Sequence, residues 1–470
     1  MVSNAFCVHG HFYQPSREDP LTGKVPQEMG AIPYKNWNER VFFHCYKPNT
    51  ELNNFEKISF NFGPTLINWM AEDYPNEYQA IIQQDRNNYE RYGVGNAMAQ
   101  PYHHTILPLA STEDKITQIY WGIEDFKFHF GHLPSGMWLP ETAVDQETLE
   151  MLAKFGIQFT ILAPWQAAAN DLDDTQPYWV NLSENRKITV FFYNQELSTR
   201  VSFDPSSTTN ADSFASNAVI PVFRKRANQK QSGMVLVASD GELYGHHQPY
   251  RDKFLSHLMN GSLTSRNVEL TYPALWLQKH PPFKTMTIRN NTSWSCHHGV
   301  ERWRSDCGCT PTGQWKLPLR VAIDRVSALI DSVYVKEIGK YTNDVWKLRH
   351  EYIQVLLGTE SVAELIGRVL GNGLTTEQVK TIDLLLRAQL DRQRMFTSCG
   401  WFFEDFDRIE PRNVVSYAAQ AVWWTYLATE IDFSPEVIPL MEKIESPRTG
   451  LKGSDVFVRQ LHKAREVFHL

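Results

Sequence analysis

Two short stretches carry carboxylates where chemistry could be done. In Trp138-Leu139-Pro140-Glu141 an apolar run ends on a proline and then an acid. Proline fixes its own φ and restricts the residue before it, so the run ends in a defined bend that holds Glu141 at the mouth of the fold. The plainer expectation is that Glu141 only caps a helix whose first turn includes Ala143–Gln146. The second stretch is Ser239-Asp240-Gly241-Glu242-Leu243-Tyr244-Gly245-His246-His247. Asp240 ends an apolar run and could act as a general acid if burial or a like charge raises its pKa. Gly241 is expected to supply a backbone conformation closed to other residues. An Asp-Gly turn would account for Asp240 and Gly241, but it leaves Glu242 and the His pair unexplained.

Three further clusters hold imidazoles or thiols. In His9-Gly10-His11, followed by Phe12-Tyr13-Gln14-Pro15, a strand would turn both imidazoles into one cleft. There they could bind ligand hydroxyls or a metal. His103-His104 precede Ile106-Leu107-Pro108-Leu109, where a core or capping role competes with a binding one. The fifth cluster runs Ser293-Trp294-Ser295-Cys296-His297-His298-Gly299-Val300-Glu301-Arg302-Trp303 and on to Asp306-Cys307-Gly308-Cys309. Its two Trp could stack on a ligand ring. Cys296, Cys307 and Cys309 with a neighbouring His could hold zinc or an iron–sulfur centre, with Cys399 as a possible fourth thiol; buried free thiols are the alternative.

The elements that must position these residues can be read from hydrophobic periodicity. Ala5–His9, Ile58–Phe62, Gly136–Leu139, Gln158–Leu162, Ile188–Tyr193 and Met234–Ser239 read as buried strands. Thr112–Phe130, Gln146–Phe155 and Pro64–Ala71 read as helices between them. Alternating strand and helix predicts a parallel α/β layer or barrel, whose sites lie at the C-terminal strand ends. His9, His11, Glu141 and Asp240 all follow such ends. From about Lys316 the pattern becomes helical, over Leu317–Ile338, Asp344–Leu357, Thr376–Arg394 and Arg412–Ile431. The expected domains are therefore residues 1–315 and 316–470.

Composition excludes several classes. With 42% hydrophobic and 21% charged residues the chain is globular rather than disordered. A balance of 46 basic against 53 acidic residues, with no dense Lys/Arg run, argues against a nucleic-acid partner. Met1 through His11 has no secretory pattern and no apolar run is long enough to span a membrane, so a cytoplasmic location with reduced cysteines is expected.

Taken in order, the five clusters resemble the signature regions of glycoside hydrolase family 57, whose α-amylase-like, glucanotransferase, branching and debranching members act on α-glucans. His9-Gly10-His11 with Gln14-Pro15 resembles its first region and Gly95 through Leu109, with His104, its second. Trp138-Leu139-Pro140-Glu141 is similar to the third, Asp240 through His246 to the fourth, and Ser293-Trp294 to the fifth. The resemblance implies an α/β fold, an incomplete (β/α)7 barrel followed by an α-helical C-terminal domain. It also implies retaining cleavage or transfer of α-1,4 or α-1,6 glucosidic linkages in an α-glucan or oligosaccharide, with Glu141 as nucleophile and Asp240 as acid/base. His9, His11, Gln14, His104, Glu242 and His246 would then bind substrate or tune Asp240, and Trp138 or Trp294 would stack on a ring. No cofactor is implied, apart from a possible metal at Cys296, Cys307 and Cys309, which with Ser398-Cys399-Gly400-Trp401 departs from the family pattern. Two other readings stay open: a zinc-dependent sugar deacetylase-like hydrolase using His9, His11, Asp240 and His246, and a glycan-binding protein without turnover.

Overall fold

The structure, a computed structural model, describes residues 3–226 and 228–467; Met1 and Val2 of the N-terminal reading lie outside the described residues. The chain divides into two units. The first holds residues up to Gln14, Gln27–Pro101 and Phe126–Trp294, and the second holds Pro15–Pro26, Tyr102–Asp125 and the chain from Ser295 onward.

The described strands all belong to the first unit: β1 (Asn4–Phe12), β2 (Ser59–Phe62), β3 (Phe159–Leu162), β4 (Tyr178–Asn181), β5 (Lys187–Phe192), β6 (Gly233–Asp240) and β7 (Glu269–Leu270). Strand β1 pairs in parallel with β2 through His9–Phe12 and with β6 through Asn4–His11. Parallel bridges Phe60–Ala97, Ala99–Met137 and Gly136–Phe159 carry the ladder from β2 to β3, and β3 pairs in parallel with β5. One hydrogen bond, from the Asn194 amide to the Leu236 carbonyl at 2.7 Å, ties the end of β5 to β6. Seven parallel segments thus wind round an interior, two of them reduced to bridges: an incomplete (β/α)7 barrel, as expected. The predicted strand Gly136–Leu139 shrinks to bridge positions because Pro140 ends it within a few residues. Two short strands were not foreseen: β4, antiparallel to β5, and β7, on β1 at Ala5–Phe6.

Period-two alternation explains how the barrel positions its chemistry. Ala5 and Cys7 of β1 and Met234, Leu236 and Ala238 of β6 fill the interior with Met98, Trp138, Phe159, Ile161 and Phe191. Continuing each series in phase gives His9 and His11 on β1 and Asp240 on β6. The C-terminal ends of the same inward faces change from hydrocarbon to titratable groups.

The expected helices are present as α1 (Pro64–Asp73), α3 (Thr112–Phe130) and α4 (Gln146–Lys154). The polar segment α2 (Pro75–Tyr92) is also helical, started by Pro75 and ended by Gly93 at φ 74°. In the second unit the main helices are α5 (Lys316–Ile338), α6 (Thr376–Arg394), α7 (Ile409–Thr429) and α8 (Gly453–Val467). Helix α7 packs on both α6 and α8 and buries Val414, Val415, Ala418, Ala419, Ala421 and Val422. The predicted helix Asp344–Leu357 is broken at Tyr352, whose ψ of −15° departs from α geometry. Among the described residues no helix is long and apolar enough to cross a membrane.

A buried ion network runs through the second unit. Asp114 meets Arg349 at 3.1 Å and Arg392 at 2.6 Å, and Arg392 reaches Asp331 at 2.7 Å. Gln393 donates to Asp114 at 2.7 Å. Burial pushes the Asp114 carboxyl up, but the Arg392 and Arg349 guanidiniums outweigh it and hold the group well below the usual carboxylate range.

Candidate active site

Glu141 stands on a strained bend. Leu139 is extended, Pro140 follows, and Glu141 and Thr142 are both left-handed, at φ 56° and 49°. Neither residue type favours that region, so the surroundings have to enforce it. The Trp294 backbone N–H donates to the Glu141 carbonyl at 2.9 Å and the Trp294 indole N–H to its Oε2 at 3.0 Å. The buried Gln166 amide donates to the Thr142 carbonyl at 2.8 Å and accepts from the Thr142 hydroxyl at 2.9 Å. The capping role is excluded for Glu141, because α4 is capped by Asp145, whose side chain accepts from the Thr148 amide at 2.8 Å.

Asp240 is open to solvent at the end of β6 yet enclosed by protein, the environment of a cleft floor. Its pKa is pushed up to about 7, first by the surrounding protein and second by the Glu141 charge. Because water reaches the group, the first cause is tempered. The two acids therefore sense one another, and Glu141 favours the protonated form of Asp240. Glu242, buried, is pushed up to about 8 by burial, against a hydrogen bond from Tyr46, with the Asp240 charge adding to the rise. Its Oε1 accepts from the Tyr46 hydroxyl at 2.7 Å and the Tyr13 amide at 3.1 Å. Gln14 donates to that same Tyr46 hydroxyl at 3.1 Å. Gln14 and Glu242 therefore brace the cleft through Tyr46, a residue the sequence reading missed.

Gly241 is required for a different reason than expected. Its φ is not in the left-handed region; a Cβ there would lie 2.3 Å from the buried Phe12 ring. The glycine lets the β6 end close onto β1.

Both imidazoles of β1 are buried and neutral. Burial lowers His9 to about 3 and His11 to about 4, and the His11 charge lowers His9 further. His9 meets Ser59 at 2.9 Å and Asn61 Oδ1 at 3.3 Å, and His11 meets the same oxygen at 3.1 Å. Asn61 is oriented by donating to Gln100 at 2.8 Å. Ser59, Asn61 and Gln100 are further residues the sequence reading missed. Polar Asn61 inside the apolar run Ile58–Phe62 was the available signal.

Several expected roles change. Trp138 is fully buried, so it cannot stack on a ligand; it stacks instead on His9 at 4.6 Å and His11 at 5.3 Å. Half-buried Trp294 packs edge-on against Trp138 and Tyr193 and holds Glu141. Trp165, 39% exposed and edge-on to Tyr193, offers a ring face in the same unit that the sequence did not single out. The zinc set of His9, His11, Asp240 and His246 does not converge: His9 engages both ring nitrogens with Ser59 and Asn61, and His246 turns to His44 at 3.4 Å and the edge of Trp37. His104 belongs to the second unit, where it is buried against Ser398 at 2.5 Å.

Cys296, Cys307, Cys309 and Cys399 also lie in the second unit. Cys296, Cys307 and Cys309 come together, but the fourth donor is His298 and not Cys399.

Residues 15–289 match glycosyl hydrolase family 57, and residues 312–468 match a domain of unknown function. Alpha-amylase 1 of Dictyoglomus thermophilum is 26% identical over 217 residues, which are 44% of this chain and 29% of that enzyme. The fold matches an exo-type maltose-forming amylase from Pyrococcus sp. ST04 with a TM-score of 0.75 at 13% identity, covering 97% of this chain and 88% of that one. It also matches a branching enzyme from Pyrococcus horikoshii (TM-score 0.63, 14% identity, 97% and 96% covered). A 4-alpha-glucanotransferase from Thermococcus litoralis matches with a TM-score of 0.56 at 16% identity, 90% and 60% covered.

Proposed function

The chain belongs to glycosyl hydrolase family 57, and from that premise we propose that it cleaves or transfers α-glucosidic linkages in α-glucans by a retaining double displacement. The observation that carries this reading is the coupling of the two acids at the barrel's strand ends: the Asp240 pKa is raised to about 7 by its protein surroundings and by Glu141. Glu141 attacks the anomeric carbon while Asp240 protonates the departing oxygen. Asp240, now ionised, takes the proton of an incoming water or sugar hydroxyl as the glycosyl–Glu141 bond breaks. A pKa near 7 suits both halves of the cycle. Likeness to proteins named amylase, branching enzyme and 4-alpha-glucanotransferase supports the substrate class. None of the six cysteines forms a disulfide among the described residues, which supports a reducing, cytoplasmic setting.

The test compares wild type with Glu141→Gln on amylose and maltooligosaccharides, following the first-formed anomer by proton NMR. The α-anomer from wild type and loss of turnover in the variant are expected. Unchanged turnover would remove the nucleophile, and a β-anomer would remove retention.

A further inference from the structure

We propose that Cys296, His298, Cys307 and Cys309 form a structural zinc site. The Cys296 sulfur lies 3.8 Å from that of Cys307 and 3.7 Å from that of Cys309, and Cys309 lies 3.5 Å from His298 Nδ1. Zinc–sulfur bonds of about 2.3 Å at tetrahedral angles put two thiolates about 3.8 Å apart, and a thiolate and an imidazole nitrogen about 3.5 Å apart. All four donor atoms lie within 4.8 Å of one another. The widest pair needs to close by no more than about 1 Å to reach the separations of one tetrahedral ion. A cluster of two or more irons would need its ligands spread wider, so the arrangement favours one ion. Disulfide bonding is excluded in this arrangement, because its sulfur separation is about 2.05 Å.

The surroundings fit the charge of such a site. One Zn²⁺ taken up by three thiols and a neutral imidazole releases three protons and leaves a net charge of −1. Lys316, 1% exposed, has an ammonium with no hydrogen-bond partner among the described residues; burial and the Arg302 charge lower its pKa to about 8, against the opposing pull of Cys307, Asp306 and Cys309. A buried cation needs a compensating anion, and the zinc tris-thiolate is one. The loop is shaped to bring its ends together: Gly308 is left-handed at φ 73° and donates to Asp306 Oδ1 at 3.1 Å. Thr312 and Trp315 anchor the following segment by donating to the Glu404 carbonyl at 2.5 and 3.3 Å. Few hydrophobic residues lie between Cys296 and Cys309, so a metal supplies the cross-link that a core would otherwise provide.

The experiment uses the full chain expressed with zinc and purified without chelators. Elemental analysis of wild type and of Cys399→Ser is expected to give about one zinc per chain, released as a mercurial titrates the thiols. Cobalt exchanged into the site should give the visible and near-ultraviolet bands of tetrahedral thiolate coordination. The Cys307→Ser/Cys309→Ser variant should lose the metal, and wild type should melt at a lower temperature after a strong zinc chelator. Metal-free wild type that takes up no cobalt would overturn the site, as would a denatured thiol count two short of six without metal. Zinc retained by the double variant would do so as well.

Discussion

Asp114 of the helical unit and the acid pair Asp240 and Glu242 of the barrel unit are treated in opposite ways. In the helical unit Asp114 is clasped by two guanidiniums and held ionised. In the barrel unit burial pushes both Asp240 and Glu242 up, with the Glu141 charge adding to the rise at Asp240 and the Asp240 charge adding to it at Glu242, and no cation opposes either. A paired acid stabilises the fold at neutral pH and has no proton to give. An unpaired one costs stability at neutral pH and keeps a proton ready for transfer. Withholding an arginine is thus as much a structural decision as supplying one.

The sharpest way to break this contrast is Asp240→Asn. It should lower kcat by about 10²–10⁴-fold, while thermal unfolding shows no loss of stability. A melting temperature that collapses with activity would mean Asp240 is structural. The mirror experiment is Arg392→Met, which leaves Asp114 with Arg349 alone and takes the guanidinium from Asp331, and should cost about 3–5 kcal/mol in urea denaturation. The expected signature is a lowered midpoint with near-normal kcat for the protein that remains folded. Activity lost ahead of folding would contradict the division of labour.

The pH dependence separates the two groups by sign. Asp240 and Glu242 have folded pKa values of about 7 and 8, raised from ordinary values of 3.8 and 4.5. Their contribution to stability is fully present below those ordinary values and is lost as pH rises through 7 and 8. Asp114 is depressed, so its contribution is present above its ordinary value of 3.8 and lost as pH falls below it. Chemical denaturation from pH 4 to 9 should therefore fall less steeply on the alkaline side for Glu242→Gln than for wild type, and kcat should decline above about pH 7 as Asp240 deprotonates. An identical slope in the variant would show that Glu242 does not titrate there. The smallest effect belongs to Trp294→Phe. Losing one hydrogen bond to a charged acid is worth about 1.5–3 kcal/mol, so kcat should drop about tenfold or somewhat more with KM little changed. A purely raised KM would reassign Trp294 to substrate stacking.

Both acids at strand ends, the barrel's strand segments and the long helices were legible because each depends on local pattern. Proline after an apolar run marks the bend at Glu141, and period-two apolar residues run straight into Asp240. What stayed hidden depends on through-space company. Tyr46 reaches Glu242 from 196 residues away in sequence, and Asn61 bridges His9 and His11 from a neighbouring strand. Trp138 looked like a stacking platform because sequence reports the ring and not its burial. Asp145 took the cap expected of Glu141, four residues later, where the helix starts. Gly241 was legible as a necessity but not in its cause, since the Phe12 ring that fills its side-chain space comes from another strand.

The two consecutive left-handed residues at Glu141 and Thr142 bear on how this chain could be engineered. Each costs about 1–2 kcal/mol relative to a glycine in the same place. Random variants screened for heat resistance alone should therefore accumulate glycine at 141 and 142 and yield sturdy, inert protein. Any hardening campaign needs an activity gate at every round.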